Sequence, residues 1–218
     1  GAHGPLVAFC SIDGGVCLGA GRREVAIVGN DLSSVFATAS KPRLEQNTFN
    51  GGAAGEKAAT VLTDGGTVIN NTFVVSARFE VHGGSATLDS NTFKAPDGHV
   101  LFGKSATVQS TSDIYQSLVW VNGGKHNILH GTIRGVFSFE DGGATFADSS
   151  IASGYSHLTV RFTPSATASV KLTRVSIVLD AGDKLQELLD GTASTRNDCG
   201  RLELGLGGFV LQDVTVNG

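Results

Sequence analysis

Methionine is absent from this chain of 218 residues, and cysteine, proline and tryptophan are scarce, with three, four and one copies. Three cysteines are too few for a disulfide scaffold, and their spacing matches no metal-binding motif. The sequence leaves open whether Cys10 and Cys17 form a disulfide, and such a bond would leave Cys199 unpaired. No apolar run approaches the roughly 18 to 20 residues of a membrane-spanning helix. We therefore expect no membrane insertion by this segment.

Positive charge is not in excess either. Lys and Arg number 16 against 20 Asp and Glu, which gives a formal net charge of -4. A nucleic-acid-binding domain needs a basic patch, so we expect no nucleic-acid partner. Glycine is abundant instead, with 30 copies and no triplet period, which excludes collagen and predicts many tight turns.

A seven-residue motif recurs along the chain and is the most informative feature of the sequence. Its second and seventh positions are apolar in every copy, its fifth is Asn or a small residue, and its sixth is small and polar. The copies begin at Ala26, Arg43, Thr67, Thr87, Thr107, Asn127, Thr145, Lys171 and Val210, and the copy at Thr107 carries one extra residue. Glycine pairs such as Gly65-Gly66 and Gly83-Gly84 precede several copies, and short strand-like runs precede the glycines.

Units of about 20 residues that are nearly all strand cannot bury their own apolar side, but stacking them about 4.8 Å apart does so. The sequence therefore predicts an all-β fold, a single-stranded right-handed parallel β-helix of about nine coils. We expect one domain over 1–218, with 1–25 as an incomplete first coil or cap. We also expect residues 178–208 to form an inserted loop with a short helix at 183–190. The end of the chain at a motif without a cap suggests a fragment of a larger protein, able to self-associate through uncapped coil ends.

Two columns of the motif carry structural predictions. Asn30, Asn47, Asn71 and Asn91 share the fifth position, where Asn tolerates left-handed backbone and marks a tight bend. Stacked Asn amides can also bond to one another along the axis. Phe49, Phe73 and Phe93 share the seventh position and predict an aromatic stack inside the solenoid.

These columns resemble the right-handed parallel β-helix of the pectin-lyase-like superfamily, in which Φ-x-x-N-x-Φ units build the turn between two of three sheets. The resemblance covers about 26–177 and the last coil at 210–216. The functions that it implies are those found in the superfamily, namely polysaccharide lyase, hydrolase or epimerase, phage tailspike, or adhesin passenger domain. Hydrolases of the superfamily use an Asn-Thr-Asp, Asp-Asp, Gly-His-Gly and Arg-x-Lys set. This chain has Asn-Thr-Phe in place of the first and lacks the others.

The only candidate catalytic residues come from the fourth position of the motif. There His130, Asp148 and Arg174 fall on consecutive coils, which predicts neighbours about 5 Å apart on one exposed strip. A His beside a carboxylate and an Arg can polarise a water or bind an anionic sugar. The same three residues also fit a solvated ladder of charges. We assign no catalytic residue, no cofactor and no metal from the sequence.

Two classes of function stay open. The first is a non-catalytic module on a cell or virion surface that adheres to a surface receptor or a polysaccharide, and the missing catalytic sets favour it. The second is a carbohydrate-active enzyme of the same fold. Both imply an extracellular or cell-surface location. One Asn-X-Ser/Thr sequon, Asn70-Asn71-Thr72, is present, and it has meaning only if the fourth position of the motif is exposed.

Overall fold

The computed structural model describes residues 6–8, 11–18, 25–37, 41–50, 59–94, 97–135, 137–152, 158–159, 169–178 and 209–217. Within these ranges the chain forms strands and turns but no helix. The strands are β1 (Leu6–Ala8), β2 (Ser11–Leu18), β3 (Ala26–Val28), β4 (Asp31–Ala37), β5 (Arg43–Glu45), β6 (Thr48–Asn50), β7 (Ala59–Leu62), β8 (Gly65–Ile69), β9 (Thr72–Val74), β10 (Arg78–Asp89), β11 (Thr92–Lys94), β12 (His99–Thr111), β13 (Ile114–Tyr115), β14 (Leu118–Val121), β15 (Lys125–Leu129), β16 (Thr132–Ile133), β17 (Phe137–Phe139), β18 (Gly143–Ala147), β19 (Ser150–Ala152), β20 (Leu158–Thr159), β21 (Ser169–Thr173), β22 (Ser176–Val178), β23 (Phe209–Gln212) and β24 (Thr215–Asn217).

The strands pair in parallel and form three ladders along one axis. The first ladder carries the start of each motif and joins β1, β3, β5, β8, the ends of β10 and β12, β15, β18, β21 and β23. The second carries the end of each motif and joins the starts of β2 and β4 to β6, β9, β11, β13, β16, β19, β22 and β24. The third joins the ends of β2 and β4, β7, the starts of β10 and β12, β14, β17 and β20.

Stacked coils of this kind make a parallel β-solenoid, so the predicted fold class is confirmed. Five successive coils between Gly65 and Thr159 have a described strand in every ladder and their own turn at the motif, whereas about nine coils were predicted. The ladders continue on both sides of these coils. Parts of those outer coils lie outside the described residues.

The second and seventh motif positions point into a continuous core in most copies, as predicted, but in the last copy Leu211 and Val216 are exposed. The buried side chains of the second position are Ile27, Leu44, Val68, Leu88, Ile128, Phe146 and Leu172, and those of the seventh are Leu32, Phe49, Phe73, Phe93, Ile133, Ile151 and Ile177. The aromatic stack is confirmed: the ring centroids of Phe73 lie 4.6 Å from Phe49 and 4.9 Å from Phe93. Coil-to-coil stacking thus removes these rings from water, which is the main stabilising effect of burial.

The copy of the motif that begins at Thr107 was placed two residues too early. The register pairs Thr87 with Gln109 and Gln109 with Asn127, so the motif of this coil begins at Gln109. Tyr115 then occupies the seventh position, and its ring stacks 5.0 Å from that of Phe93. The second position was misplaced by two residues, which keeps the alternation of inward and outward side chains, whereas the seventh was misplaced by one, onto the half-buried Ile114.

The fifth position forms a hydrogen-bonded ladder, as predicted. The backbone N–H of Asn71 donates to Oδ1 of Asn91 over 2.9 Å, and its Nδ2 donates to the same oxygen over 3.1 Å. The same pair of bonds links Asn30 to Asn47 and Asn47 to Asn71. These side chains are buried, so each bond replaces water that the turn amides have lost.

These Asn residues mark the bend, as predicted, but they do not adopt left-handed backbone themselves. The positive φ belongs to the fourth position, occupied by Gln46, Asn70, Ser90, Ser112, His130, Asp148, Arg174 and Asp213, with φ between 50° and 57°. The bend therefore turns on an exposed residue, and the buried Asn that follows satisfies the amides of the turn. At the opposite corner glycine is required: Gly84 has a φ of 67°, and a Cβ there would lie 2.0 Å from the carbonyl oxygen of Asp64.

The Asn ladder ends on a buried aspartate, Asp113. Its Oδ1 accepts hydrogen bonds from the backbone N and Nδ2 of Asn91 over 2.6 and 2.9 Å, and its Oδ2 accepts one from Ser110 Oγ over 2.6 Å. The next fifth position is Gly131, which has no side-chain acceptor. An Asn in place of Asp113 would lack a ladder partner for its Nδ2, whereas a carboxylate needs only donors.

Several predictions fall on residues outside the described ranges. The short helix at 183–190, most of the inserted loop at 178–208 and the cysteines Cys10 and Cys199 are among them. Cys17 is exposed and is not in a disulfide with any described residue. The described residues contain no helix long and apolar enough to cross a membrane.

Candidate functional site

The fourth-position strip brings the three predicted site residues onto successive coils. Arg174 binds Asp148 through two hydrogen bonds, from Nε to Oδ1 over 2.6 Å and from Nη2 to Oδ2 over 2.7 Å. The bonds and charge of Arg174 lower the pKa of the Asp148 carboxyl, and the charge of His130 acts in the same direction. The hydrogen bonds and charge of Asp148 raise the pKa of the Arg174 guanidinium, and the charge of Asp213 on the far side acts in the same direction. Cationic and anionic side chains therefore alternate along the axis in the part of the strip from His130 to Asp213.

This arrangement leaves little chemistry for Asp148. Both of its oxygens accept bonds from one guanidinium, so the carboxylate has a fixed partner in a bidentate geometry. The lowered pKa also makes this carboxylate a weaker general base. His130 is exposed on the bend, and it occupies the same place on its coil as the charged side chains of Asp148 and Arg174 on theirs. The catalytic role considered for these three residues stays a prediction.

A second cluster of side chains lies on the outer face of the third ladder. It consists of Arg78, Glu80 and His82 on β10, His99 on β12 and Trp120 on β14, and we call it the Trp120 patch. The inward neighbours Phe79, Val81, Val100, Phe102, Val119 and Val121 are all buried. Because strand side chains alternate, burial of these six fixes the members of the patch on the outside.

The contacts within the Trp120 patch converge on one carboxylate. His82 Nε2 lies 2.7 Å from Glu80 Oε2, and His99 Nε2 lies 3.1 Å from Glu80 Oε1. The ring of His99 packs against the indole of Trp120 with centroids 5.3 Å apart. Trp120 stays 41% exposed, although a large aromatic side chain is usually covered. The carboxylate thus orients two imidazoles, and one of them supports the indole.

Arg78 adds a donor at the edge of the patch. It pairs in register with His99 on the next coil, and its Nε is buried without a hydrogen-bond partner in the described part of the chain. Buried polar atoms normally have a partner, so an unpaired guanidinium nitrogen in register with His99 is unusual.

Sequence reasoning missed the Trp120 patch, although a signal was present. The runs "RFEVH", "HVLF" and "LVWV" were read only as strands before glycine corners. Aligning their alternation would have placed Glu80, Leu101 and Trp120 in one outward column, as the register does. Among the described residues, no group of three or more His, Cys, Asp or Glu side chains could hold a metal ion.

Comparison with known proteins gives no relative. No family model, no curated protein and no solved structure matches the chain. The β-solenoid therefore rests on the geometry of this chain alone.

Proposed function

We propose that the chain is a non-catalytic β-helix module of a cell or virion surface, which binds a glycan through the outer face of its third ladder. The subtype that we propose is an adhesin passenger or a spike-like segment within the pectin-lyase-like superfamily. The observation that carries the proposal is the Trp120 patch, an exposed indole beside hydrogen-bonding groups that other side chains hold in place.

The chemistry of the patch suits a pyranose ring. One face of such a sugar is made of C–H groups, which pack on the negative face of an aromatic ring, and its rim carries hydroxyls that both donate and accept. Trp120 supplies the aromatic ring. Arg78 supplies donors only, and each imidazole has a second nitrogen beyond the one at Glu80. Strands hold all of these groups, which keeps them preorganised for binding.

The fourth-position strip supports binding over catalysis. Cleavage requires ionisable groups that converge on one bond. The only carboxylate among the three candidates, Asp148, is engaged on both oxygens by Arg174. A single patch of this size is expected to bind weakly, and repeated presentation on a surface would raise the avidity.

The test is binding to immobilised neutral and uronic-acid polysaccharides by the native chain, by Trp120→Ala and by Leu129→Ala. Leu129 is 38% exposed on the first ladder, so its variant removes exposed apolar surface without touching the patch. We expect Trp120→Ala to weaken binding at least about tenfold, which is about 1.4 kcal/mol, and Leu129→Ala to bind like the native chain. Equal binding by the two variants, or no binding by the native chain, would refute the glycan site.

The same mixtures are assayed for new reducing ends and unsaturated products, which distinguishes the enzyme class. If the native chain forms product and the folded His130→Ala and Asp148→Ala variants do not, the protein is a carbohydrate-active enzyme and the proposal of a non-catalytic binding module is wrong. No product from any polysaccharide is the result expected for a binding module.

A further inference from the structure

The sequon at Asn70 lies on the surface of the solenoid. Asn70 occupies the fourth position of its coil, where the backbone bends with a φ of 52° and the side chain is exposed. It belongs to the only Asn-X-Ser/Thr sequence of the chain. The third residue, Thr72, is half-buried on β9.

The neighbouring asparagine is excluded as an acceptor. Asn71 is buried, and its Nδ2 donates to the carbonyl oxygens of Leu44 and Ile69 and to Oδ1 of Asn91. Asn70 contributes its backbone N–H to the solenoid, which donates to the carbonyl oxygen of Asp89 over 2.9 Å. Modification of the Asn70 side chain therefore leaves the ladder of buried amides intact.

The surroundings have room for a bulky, hydrated group. One coil before and one coil after Asn70, the fourth position holds Gln46 and Ser90, both exposed, polar and uncharged. The charged part of the strip begins at His130, three coils along the axis and thus about 14 Å away at the spacing of strands.

From these observations we infer that Asn70 is an N-glycosylation site. The inference rests on the extracellular location proposed above and not on the Trp120 patch. In the reaction, Asn70 Nδ2 loses a proton and bonds to the anomeric carbon of an oligosaccharide. The bond from that carbon to its polyisoprenyl diphosphate carrier breaks, and the diphosphate leaves with the electron pair and takes up the proton.

Attachment at Asn70 would leave the glycan-binding face uncovered. The fourth-position bend joins the first and second ladders, whereas Trp120 lies on the third. In a coil of three strands, the corner between two ladders is opposite the third. The attached oligosaccharide would therefore occupy the corner away from the patch.

The experiment is secretion of the chain behind a signal peptide from a eukaryotic host that glycosylates, followed by mass measurement before and after endoglycosidase digestion. We expect a shift of one oligosaccharide for the native chain and for Thr72→Ser, and no shift for Asn70→Gln and Thr72→Ala. Gln46 adopts a φ of 56° at the equivalent position, so Gln is tolerated at this bend.

Secreted native chain without the shift, or a shift that persists in Asn70→Gln, would overturn the inference. Because the host fixes the route of secretion, this result does not depend on whether the Trp120 patch binds a polysaccharide. Failure of the glycan-binding test with a positive mass shift would leave the Asn70 site standing.

Discussion

Asp113 makes the stability of the solenoid depend on pH in an unusual direction. Burial raises the pKa of its carboxyl from 3.8 to about 6, although three hydrogen bonds from Ser110 and Asn91 favour the ionised form and oppose the rise. The side chain has no exposed surface. A carboxyl with a raised pKa binds its proton more tightly in the folded chain than in the unfolded chain.

The sign and size of the effect follow from linkage. Between about pH 4 and about pH 6 the folded chain holds a proton that the unfolded chain has released, so the unfolded state is favoured as the pH rises. A difference of about 2 pKa units corresponds to about 3 kcal/mol. The contribution of Asp113 to the free energy of unfolding therefore falls by about 3 kcal/mol across this window, and it is constant on either side.

The assay is urea unfolding, followed by circular dichroism, of the native chain and Asp113→Asn from about pH 4 to about pH 7. Because Asn does not titrate, the native free energy minus the variant free energy should fall by about 3 kcal/mol as the pH rises. Asp64→Asn removes an exposed carboxylate and serves as the control. A difference that stays flat, or that grows with pH, would show that Asp113 is not held in a desolvated site.

Two further predictions concern the ladders. Phe93→Ala should lower the free energy of unfolding by about 3 to 5 kcal/mol, because the ring is buried between Phe73 and Tyr115; a melt close to that of the native chain would contradict the aromatic stack. Arg174→Ala should leave stability nearly unchanged, since the pair with Asp148 is exposed. It should also raise the pKa of Asp148 toward its ordinary value, as measured by NMR titration, and an unmoved pKa would contradict the bidentate pair.

Most of the core was predictable from the sequence because burial imposes the same demand on every coil. Stacked coils bury the second and seventh positions, which are therefore apolar in most coils, so nine copies of a weak motif predicted two columns of buried side chains. The Phe stack and the Asn ladder followed from the same reasoning, and the contacts of Phe73 and Asn71 confirm both.

The coil that contains Asp113 could not be placed in the same way. Its second and seventh positions are Ser110 and Tyr115, and the hydroxyl of Tyr115 donates to Ser110 Oγ, which in turn donates to Asp113. A search for apolar columns prefers Val108 and Ile114, two residues and one residue earlier. Polar residues are stable at inward positions only when they satisfy one another, and such a network has no signature in a single sequence.

The Trp120 patch was missed for a different reason, which concerns how a solenoid builds a site. Each coil contributes between one and three outward side chains, so neighbours on different strands are one coil apart in sequence. Glu80 pairs with Leu101, 21 residues later, and Leu101 pairs with Trp120, 19 residues later. The interval varies because the corners differ in length, as the register shift between Val81 and Gly83 shows. A search for a fixed motif spacing therefore does not detect such a site. The site is located from the register of the buried residues beneath it, which in this chain are Phe79, Val100 and Val119.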